Sequence, residues 1–257
     1  MQVLLSSLNK DIMHYKSMNI KTNVINVNQC DENKYIKLEE KEFNVEVFNS
    51  NQRGVGKSRN LALINAWDDI LIMADDDEVF VDNYESIILN EFKNNPDADM
   101  IIFNVRVHNK SKIKNTTTKN GRVRFYNALR YGTVTFAFKR DKIHKNAIFF
   151  SLLFGGGAKY GSGEDSLFLM NVLNKKLKVY SVTQTIADVY NEDSTWFKGY
   201  NEKFYFDKGA LFAAISRKYF FFYIIQFWLR RYNNQSSISR IKALKSLFKG
   251  AADYKKS

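Results

Sequence analysis

The sequence predicts an α/β fold with a central, mostly parallel sheet flanked by helices. Short apolar runs rich in Val, Ile and Leu recur through the early part of the chain, bounded by polar turns, as expected for buried strands. Segments with helical apolar spacing separate the later runs, and strands that alternate with helices are typical of parallel sheets. With 45% hydrophobic residues, 21 Phe and 14 Tyr in 257 residues, the chain can bury a large core, which excludes a disordered or fibrous protein.

The order of these elements divides the chain into an α/β domain at 1–193, with halves at 1–98 and 99–193, and a helical, basic and aromatic extension at 194–257. The predicted strands lie at 3–5, 24–27, 45–48, 70–73, 100–107, 122–125 and 133–138. The predicted helices lie at 58–67, at 83–92 before Pro96, and from Glu164 onward. Between them we predict a polar loop at 109–120 and a glycine-rich loop at 155–163.

The net charge of +12 suggests nucleic acid as a partner until its position in the sequence is considered. Nine of the twelve excess charges lie within residues 201–257, so the first 200 residues are nearly neutral and we expect no nucleic-acid partner. The single cysteine, Cys30, excludes an internal disulfide framework and a cysteine-built zinc site. The N-terminus lacks the pattern of a secretory signal, so we expect a cytoplasmic location.

Two segments of the extension are suited to a membrane surface. Residues 219–229 are apolar except for Gln226 and precede Arg230 and Arg231. As a helix they would span roughly 16 Å, about half of the hydrocarbon core of a bilayer. Residues 238–249 place apolar side chains at helical spacing among basic ones, as interfacial helices do. Two interpretations stay open: contact with an anionic membrane, or packing of the aromatic side chains on the α/β domain.

Four consecutive acidic residues, Asp75 to Glu78, follow the predicted strand at 70–73. Carboxylates this close repel one another unless a cation lies among them, and parallel sheets bind ligands at the carboxyl ends of their strands. A divalent cation that bridges to a diphosphate fits, because Mg²⁺ takes one or two carboxylates together with phosphate oxygens and water. The alternative is a solvated acidic turn before the helix at 83–92.

A second acidic pair, Glu164 and Asp165, follows the sequence Gly161-Ser162-Gly163. Small residues allow a backbone to approach a bound substrate closely, and the acidic pair opens the predicted helix. A carboxylate in the first turn of a helix is stabilised as the anion, so Asp165 is available to accept a proton. The alternative is an ordinary helix start after a flexible turn.

The run RGVGKSRN from Arg53 contains Gly-Lys-Ser but is not a phosphate-binding P-loop. That motif needs a glycine where Asn51 stands, and it follows the first strand of its domain, whereas this run follows the third predicted strand. Arg59 remains a candidate diphosphate contact through its planar fork of donors. The alternative is a surface helix residue paired with an acid.

Three motifs in this order resemble the inverting family 2 glycosyltransferases of the GT-A fold. They are RG-x-G-x-SRN-LA from Arg53, the acidic run at a strand end, and G-x-GEDS-x-F from Gly161. The resemblance covers roughly residues 1–190. The stretch STWFKGYNEKF from Ser194 also resembles the C-terminal part of enzymes that make bacterial capsules and other cell-surface polysaccharides.

The resemblance implies a role for each candidate residue. Asp77 and Asp75 would be ligands of Mn²⁺ or Mg²⁺ in a D-x-D motif, and Asp75 and Asp76 would also contact the nucleotide-sugar. Asp165 would be the general base that deprotonates the acceptor hydroxyl, with Glu164 shaping the acceptor pocket. The remaining residues expected at the nucleotide-sugar are Ser6, Ser7, Asn28 and Arg59. No histidine follows Asp165 to act as a further metal ligand, and Asp188 is the candidate substitute, with a structural role as the alternative.

The implied activity is inverting transfer of a sugar, as a hexosyltransferase, from a nucleotide-diphosphate donor that we expect to be a UDP-sugar. The acceptor would be a hydroxyl of a glycan or lipid-linked saccharide in the synthesis of a bacterial surface polysaccharide, at the inner face of the cell membrane. Two other classes remain open. One is a metal-dependent phosphohydrolase or nuclease that uses the cluster from Asp75 to Glu78, and the other is a non-enzymatic protein of the membrane surface.

Overall fold

The computed structural model describes residues 1–109, 112–190, 199–232 and 235–256, and within these ranges it contains one sheet of eleven strands and nine α-helices. The strands are β1 (Gln2–Leu8), β2 (Asn23–Gln29), β3 (Lys34–Glu39), β4 (Asn44–Ser50), β5 (Ile70–Asp75), β6 (Glu78–Phe80), β7 (Met100–Asn109), β8 (Lys112–Asn115), β9 (Gly121–Arg122), β10 (Phe136–Lys139) and β11 (Val179–Tyr190). The helices are α1 (His14–Ser17), α2 (Val55–Asn65), α3 (Tyr84–Asn94), α4 (Phe125–Ala128), α5 (Arg140–Lys145), α6 (Glu164–Asn174), α7 (Glu202–Ile215), α8 (Phe220–Arg231) and α9 (Arg240–Lys256).

Parallel strands form the part of the sheet that carries the first acidic motif. The strand order is β3-β4-β2-β1-β5-β10-β7-β11-β6, with parallel pairing from β4 through β2 and β1 to β5, and between β7 and β11. The register pairs Ser6 with Asp75 and Ser7 with Asn28, so the polar ends of β1, β2 and β5 meet at one edge of the sheet. The predicted α/β fold is confirmed, with antiparallel strands added around its parallel part.

Apolar side chains on the two faces of the sheet form two separate cores. Because successive strand residues point to opposite faces, Leu4 packs in one core with Phe168 of α6, and Leu5 packs in the other with Ile88 of α3. Both leucines are fully buried. The sheet is therefore covered by helices on both faces, as its near-continuous apolar strands require.

The structure of residues 99–193 differs from the prediction at one strand. The strand predicted at 122–125 is wrong: pairing with β11 stops at Arg122, and the chain enters α4 at Phe125. The Arg124 N–H donates to Asn127 Oδ1 at 2.8 Å, a local cap that starts the helix. The predicted strand at 133–138 begins only at Phe136, after one 3₁₀ turn.

The three C-terminal helices pack on one another, and α7 packs on the glycine-rich loop and α6. Gly209 of α7 and Gly250 of α9 allow these helices to touch, because a Cβ on Gly209 would lie 1.8 Å from the Leu247 carbonyl oxygen. A mixed cluster that includes Phe154, Tyr160 and Leu211 joins α7 to the glycine-rich loop. The predicted boundary at 193 and the start of the STWF motif lie outside the described residues. In the part of the chain that is described, no helix is long and apolar enough to cross a bilayer.

Candidate active site

Arg59 of α2 is the buried cation at the centre of the candidate site. Its Nη2 donates to both carboxylate oxygens of Asp75, at 2.8 and 2.9 Å, and its Nη1 donates to Glu164 Oε1 at 3.0 Å. Burial alone would lower the pKa of Arg59, but the charges of Asp75 and Glu164 raise it above the ordinary value. Arg59 thus brings the two acidic motifs of the sequence together.

The neighbours of Asp75 in the acidic turn are held by the protein. The backbone N–H of Leu8, at the end of β1, donates to Asp76 Oδ2 at 2.8 Å, and the Asp75 N–H donates to Glu78 Oε1 at 3.0 Å. Glu78 is fully buried, and burial followed by the charge of Asp75 raises its pKa well above the ordinary value. These contacts fix the shape of the turn and leave Asp77 as its most exposed carboxylate.

Asp77 has the character of a cation-binding carboxylate. Although Asp77 is the most exposed carboxylate of the turn, folding removes part of the water around its carboxyl group. This desolvation, followed by repulsion from Asp75 and Asp76, raises the pKa of Asp77 to about 6. Among the described residues, no three His, Cys, Asp or Glu side chains are grouped to hold a metal by themselves. The residues therefore fit a divalent ion that takes one carboxylate from Asp77 and most of its remaining ligands from a bound diphosphate and water.

The polar residues predicted at the strand ends are buried and hydrogen-bonded. Ser6 Oγ lies 2.6 Å from Ser58 Oγ, and Ser7 Oγ donates to Asn26 Oδ1 at 2.7 Å. Asn28 binds the backbone of Lys10 through both ends of its amide, at 3.0 Å each. Asn28 and Lys10 line a cavity of about 490 Å³ at the ends of β1, β2 and β4. These side chains shape that cavity more than they offer free donors to it.

The acidic pair of α6 lies on the other side of Arg59. Asp165 is partly exposed, and its Oδ1 accepts the Ser166 N–H at 2.7 Å. Burial, followed by the charge of Asp165, raises the pKa of Glu164, and Arg59 opposes the shift. Gly155 lies against Glu164, because a Cβ there would be 2.9 Å from the Glu164 carboxyl carbon. Glu164 is thus fixed in the protein, and Asp165 remains open to a substrate.

Two residues of α7 support this acidic pair and were not predicted from the sequence. Asp207 is buried, and its Oδ2 accepts the Gly161 N–H at 3.0 Å, so α7 holds the loop that precedes Glu164. Lys208 lies close enough to Asp165 and Glu164 for their charges to act on its pKa. The Lys-x-x-x-Asp spacing of Lys203 and Asp207 indicates an ion pair on a helix, but nothing local predicts what that pair contacts.

Asp188 of β11 is held by basic residues of β7. Arg106 Nε donates to Asp188 Oδ1 at 2.8 Å, and His108 Nε2 lies 2.5 Å from the same oxygen. Burial raises the pKa of Asp188, but Arg106 and His108 outweigh it, so the net shift is downward. This pairing favours the structural interpretation of Asp188 over a role as a metal ligand.

A parallel sheet with acidic strand ends, extended by antiparallel strands, is the arrangement of the GT-A glycosyltransferase fold. Solved structures of TarS from S. aureus share this fold at low sequence identity. TarS residues 1–349 align with a TM-score of 0.59 at 13% identity, over 98% of this chain and 81% of that one. The complex of TarS with UDP gives 0.60 at 15% identity, over 98% and 70%, and the complex with UDP-GlcNAc gives 0.57 at 14%, over 99% and 71%.

The family of the protein follows from a match of its sequence. Residues 23–155, just over half of the chain, match the model of glycosyl transferase family 2, and the protein belongs to this family. The match covers β2 to the glycine-rich loop and includes Arg59 and the acidic turn. A comparison with curated proteins gives no match.

Proposed function

We propose that the protein is an inverting glycosyltransferase that transfers a sugar from a UDP-sugar to an acceptor hydroxyl. The observation that carries this proposal is the contact of Arg59 with both Asp75 and Glu164. This contact brings the proposed donor and acceptor motifs together in one site. The similarity in fold to TarS, which has been crystallised with UDP and with UDP-GlcNAc, supports UDP as the nucleotide of the donor.

In the proposed reaction, Asp165 accepts the proton of the acceptor hydroxyl as the hydroxyl oxygen attacks the anomeric carbon. The new C–O bond forms as the bond from that carbon to the diphosphate oxygen breaks, so UDP leaves and the configuration inverts. Glu164, fixed by Arg59, shapes the floor beside Asp165. A divalent ion, Mn²⁺ or Mg²⁺, held by Asp77 and adjacent to Asp75 would supply charge neutralisation for the departing diphosphate.

The nucleotide end of the donor is proposed to occupy the cavity at the ends of β1, β2 and β4. Asn28 then holds the backbone of Lys10 at the wall of this cavity, whereas Ser6 and Ser7 act behind the wall through hydrogen bonds to Ser58 and Asn26. Asp76 has the same role for the end of β1 through Leu8. The structure thus favours a shaping role for these four residues.

The exposed face of α8 supports peripheral contact with an anionic membrane. Ile224 is fully buried against α7 and α9, whereas Phe222 and Leu229 are 60% and 57% exposed. The buried face of α8 thus packs within the extension, on α7 and α9, and not on the described residues of 1–193 as the alternative interpretation expected, while the other face is available for membrane contact. Exposed apolar patches in basic surroundings mark interaction sites, which fits a cytoplasmic enzyme at the inner face of a bacterial membrane that makes a surface polysaccharide such as a capsule.

A thermal-shift panel of UDP, GDP, CDP and ADP, each with Mn²⁺, with Mg²⁺ or with EDTA, tests the donor and the metal together. We expect UDP to raise Tm more with metal than with EDTA, and the metal effect to disappear in Asp77→Asn. Asp82→Asn, an exposed carboxylate five residues away, is the matched control and should respond like the wild type. Absence of a shift with every nucleotide would refute the proposal.

A further inference from the structure

A groove of about 510 Å³ opens beside the acidic pair of α6, between α4 and α8. Its lining includes Ser166, which directly follows Asp165, and Lys208 of α7. The volume is within the range of small-ligand sites. The groove shares no lining residue with the cavity at the ends of β1 and β2, so the two spaces are separate.

Four cationic side chains line this space, which we call the basic groove: Arg130, Lys208, Arg230 and Arg231. No Asp or Glu lines it, and among the described residues no carboxylate oxygen lies within ion-pair distance of the four cations. Lys208 lies near carboxylate charges, whereas Arg130, Arg230 and Arg231 form no ion pair with a described residue. An anionic ligand would relieve the repulsion among these arginines.

Lys208 connects the basic groove to the candidate base. Burial lowers the pKa of Lys208, and the charges of Asp165, Glu164 and Asp207 oppose this shift. The ammonium group therefore lies within electrostatic reach of Asp165 while it lines the groove. A ligand anion bound at Lys208 would be near the carboxylate that takes the acceptor proton.

We infer that the basic groove binds a phosphate group of the acceptor, a phosphodiester- or diphosphate-bearing saccharide or polyol whose reacting hydroxyl then lies at Asp165. The inference rests on the proposed function, because it requires Asp165 to act on an acceptor. Arginine forks match phosphate oxygens, and charge-assisted hydrogen bonds are stronger than those to neutral sugars. Aromatic faces in the same groove, from Tyr126, Tyr223 and Phe227, suit the rings of a saccharide.

A phosphate in this position has two sources with the same chemistry. One is a diphosphate that links a saccharide to a membrane lipid, and the other is a phosphodiester within a soluble glycan. The helix with the exposed apolar face, α8, also contributes Arg230 and Arg231 to the groove. A lipid-linked diphosphate could therefore reach the groove from a membrane at that face, and a soluble phosphodiester could reach it from solvent.

The test measures binding of four probes to the full chain by calorimetry. The soluble pair is the methyl phosphodiester of methyl glucoside at O6 and uncharged methyl glucoside. The lipid pair is farnesyl diphosphate-linked GlcNAc and uncharged octyl GlcNAc glycoside. Two variants change the groove: Arg230→Gln/Arg231→Gln removes two exposed cations, and Lys208→Met removes the inner one. The control variant, Arg217→Gln/Lys218→Gln, removes two positive charges from exposed positions outside the groove.

We expect a charged probe to bind about tenfold more tightly than its uncharged partner, and both groove variants to lose about that factor. The Arg217→Gln/Lys218→Gln control should bind like the wild type, and UDP affinity should be unchanged throughout. Whichever charged probe binds identifies the source of the phosphate. Equal binding of charged and uncharged probes, or an equal loss in the control, would overturn the inference. Absence of UDP binding by the wild type would instead overturn the proposed function.

Discussion

Arg59 Nη2 donates to both carboxylate oxygens of Asp75, at 2.8 and 2.9 Å, in a bifurcated ion pair that is almost fully shielded from water on the arginine side. The same guanidinium reaches Glu164 through its other terminal nitrogen and lies 5.4 Å from the centre of the Phe150 ring. One side chain of α2 thus links the two acidic motifs.

Arg59→Met should lower the free energy of unfolding by about 3 kcal/mol, because it leaves two poorly hydrated carboxylates without their cation. Adding Glu164→Gln should recover part of this loss, since it removes one of the uncompensated charges. Urea unfolding of the two single variants and the double variant at pH 7 measures the coupling. Strictly additive losses would contradict the role given to Arg59 as a bridge.

Asp165→Asn should reduce transfer by roughly 10²-fold or more and leave the Tm shift with UDP close to the wild-type value. The amide cannot accept the acceptor proton, whereas the donor cavity and Asp77 are untouched. Asp141→Asn, a half-exposed carboxylate at the start of α5, is the matched control and should keep full turnover. Near-normal turnover in Asp165→Asn would show that another group is the base.

Gly209→Ala and Gly250→Ala should each destabilise the protein, by about 2 kcal/mol or more, although alanine has the higher helix propensity. In each case the new Cβ would meet a carbonyl oxygen of the facing helix at 1.8 Å, from Leu247 or Phe206, so α7 and α9 must separate. Lys249→Ala, exposed on the same turn of α9, should change stability by less than about 0.5 kcal/mol. Thermal unfolding distinguishes the clash from propensity, because propensity alone predicts a higher Tm.

Asp188→Asn should destabilise the protein at pH 7 by about 1–3 kcal/mol, because Arg106 and His108 lose the charge that they share. The folded-state pKa of Asp188 is lowered, so its contribution is present above the unfolded value near 3.9 and is lost as the pH falls through the folded value. The difference between variant and wild type should therefore shrink below about pH 4. Urea midpoints at pH 7 and at decreasing pH test this, with Asp82→Asn as an exposed control.

The parallel part of the fold was predictable because each of its strands is a short apolar run that can be recognised from neighbouring residues alone. Each apolar run between polar turns became a strand, and the acidic turn follows β5 as expected. Local pattern failed at Arg122 to Phe125, where alternating Val and Phe indicate a strand but the side chain of Asn127 caps a helix start. The antiparallel strands β3 and β6 were not predicted, because they form by pairing with β4 and β11 and have no apolar run of their own.

The candidate site was also only partly predictable from the sequence. Sequence motifs located the acidic residues, but not the contact of Arg59 with both motifs, which requires the tertiary fold. Asp207 and Lys208 stand in a tail segment that looks like an ordinary charged helix. The basic groove combines side chains from α4, α7, α8 and the turn after α4, so no single stretch of sequence reveals it.

Phe222→Ser/Leu229→Ser should abolish or strongly reduce flotation of the protein with anionic liposomes without loss of stability. Both side chains are mostly exposed on α8, so the substitutions remove apolar surface available to a bilayer and leave Ile224 and the packing of α8 intact. Ile113→Ser, an equally exposed apolar residue on β8, is the matched control and should float like the wild type. Flotation with neutral liposomes separates apolar insertion from charge attraction. If the α8 variant floats as well as the wild type, α8 does not contact the membrane, and its exposed face serves another partner.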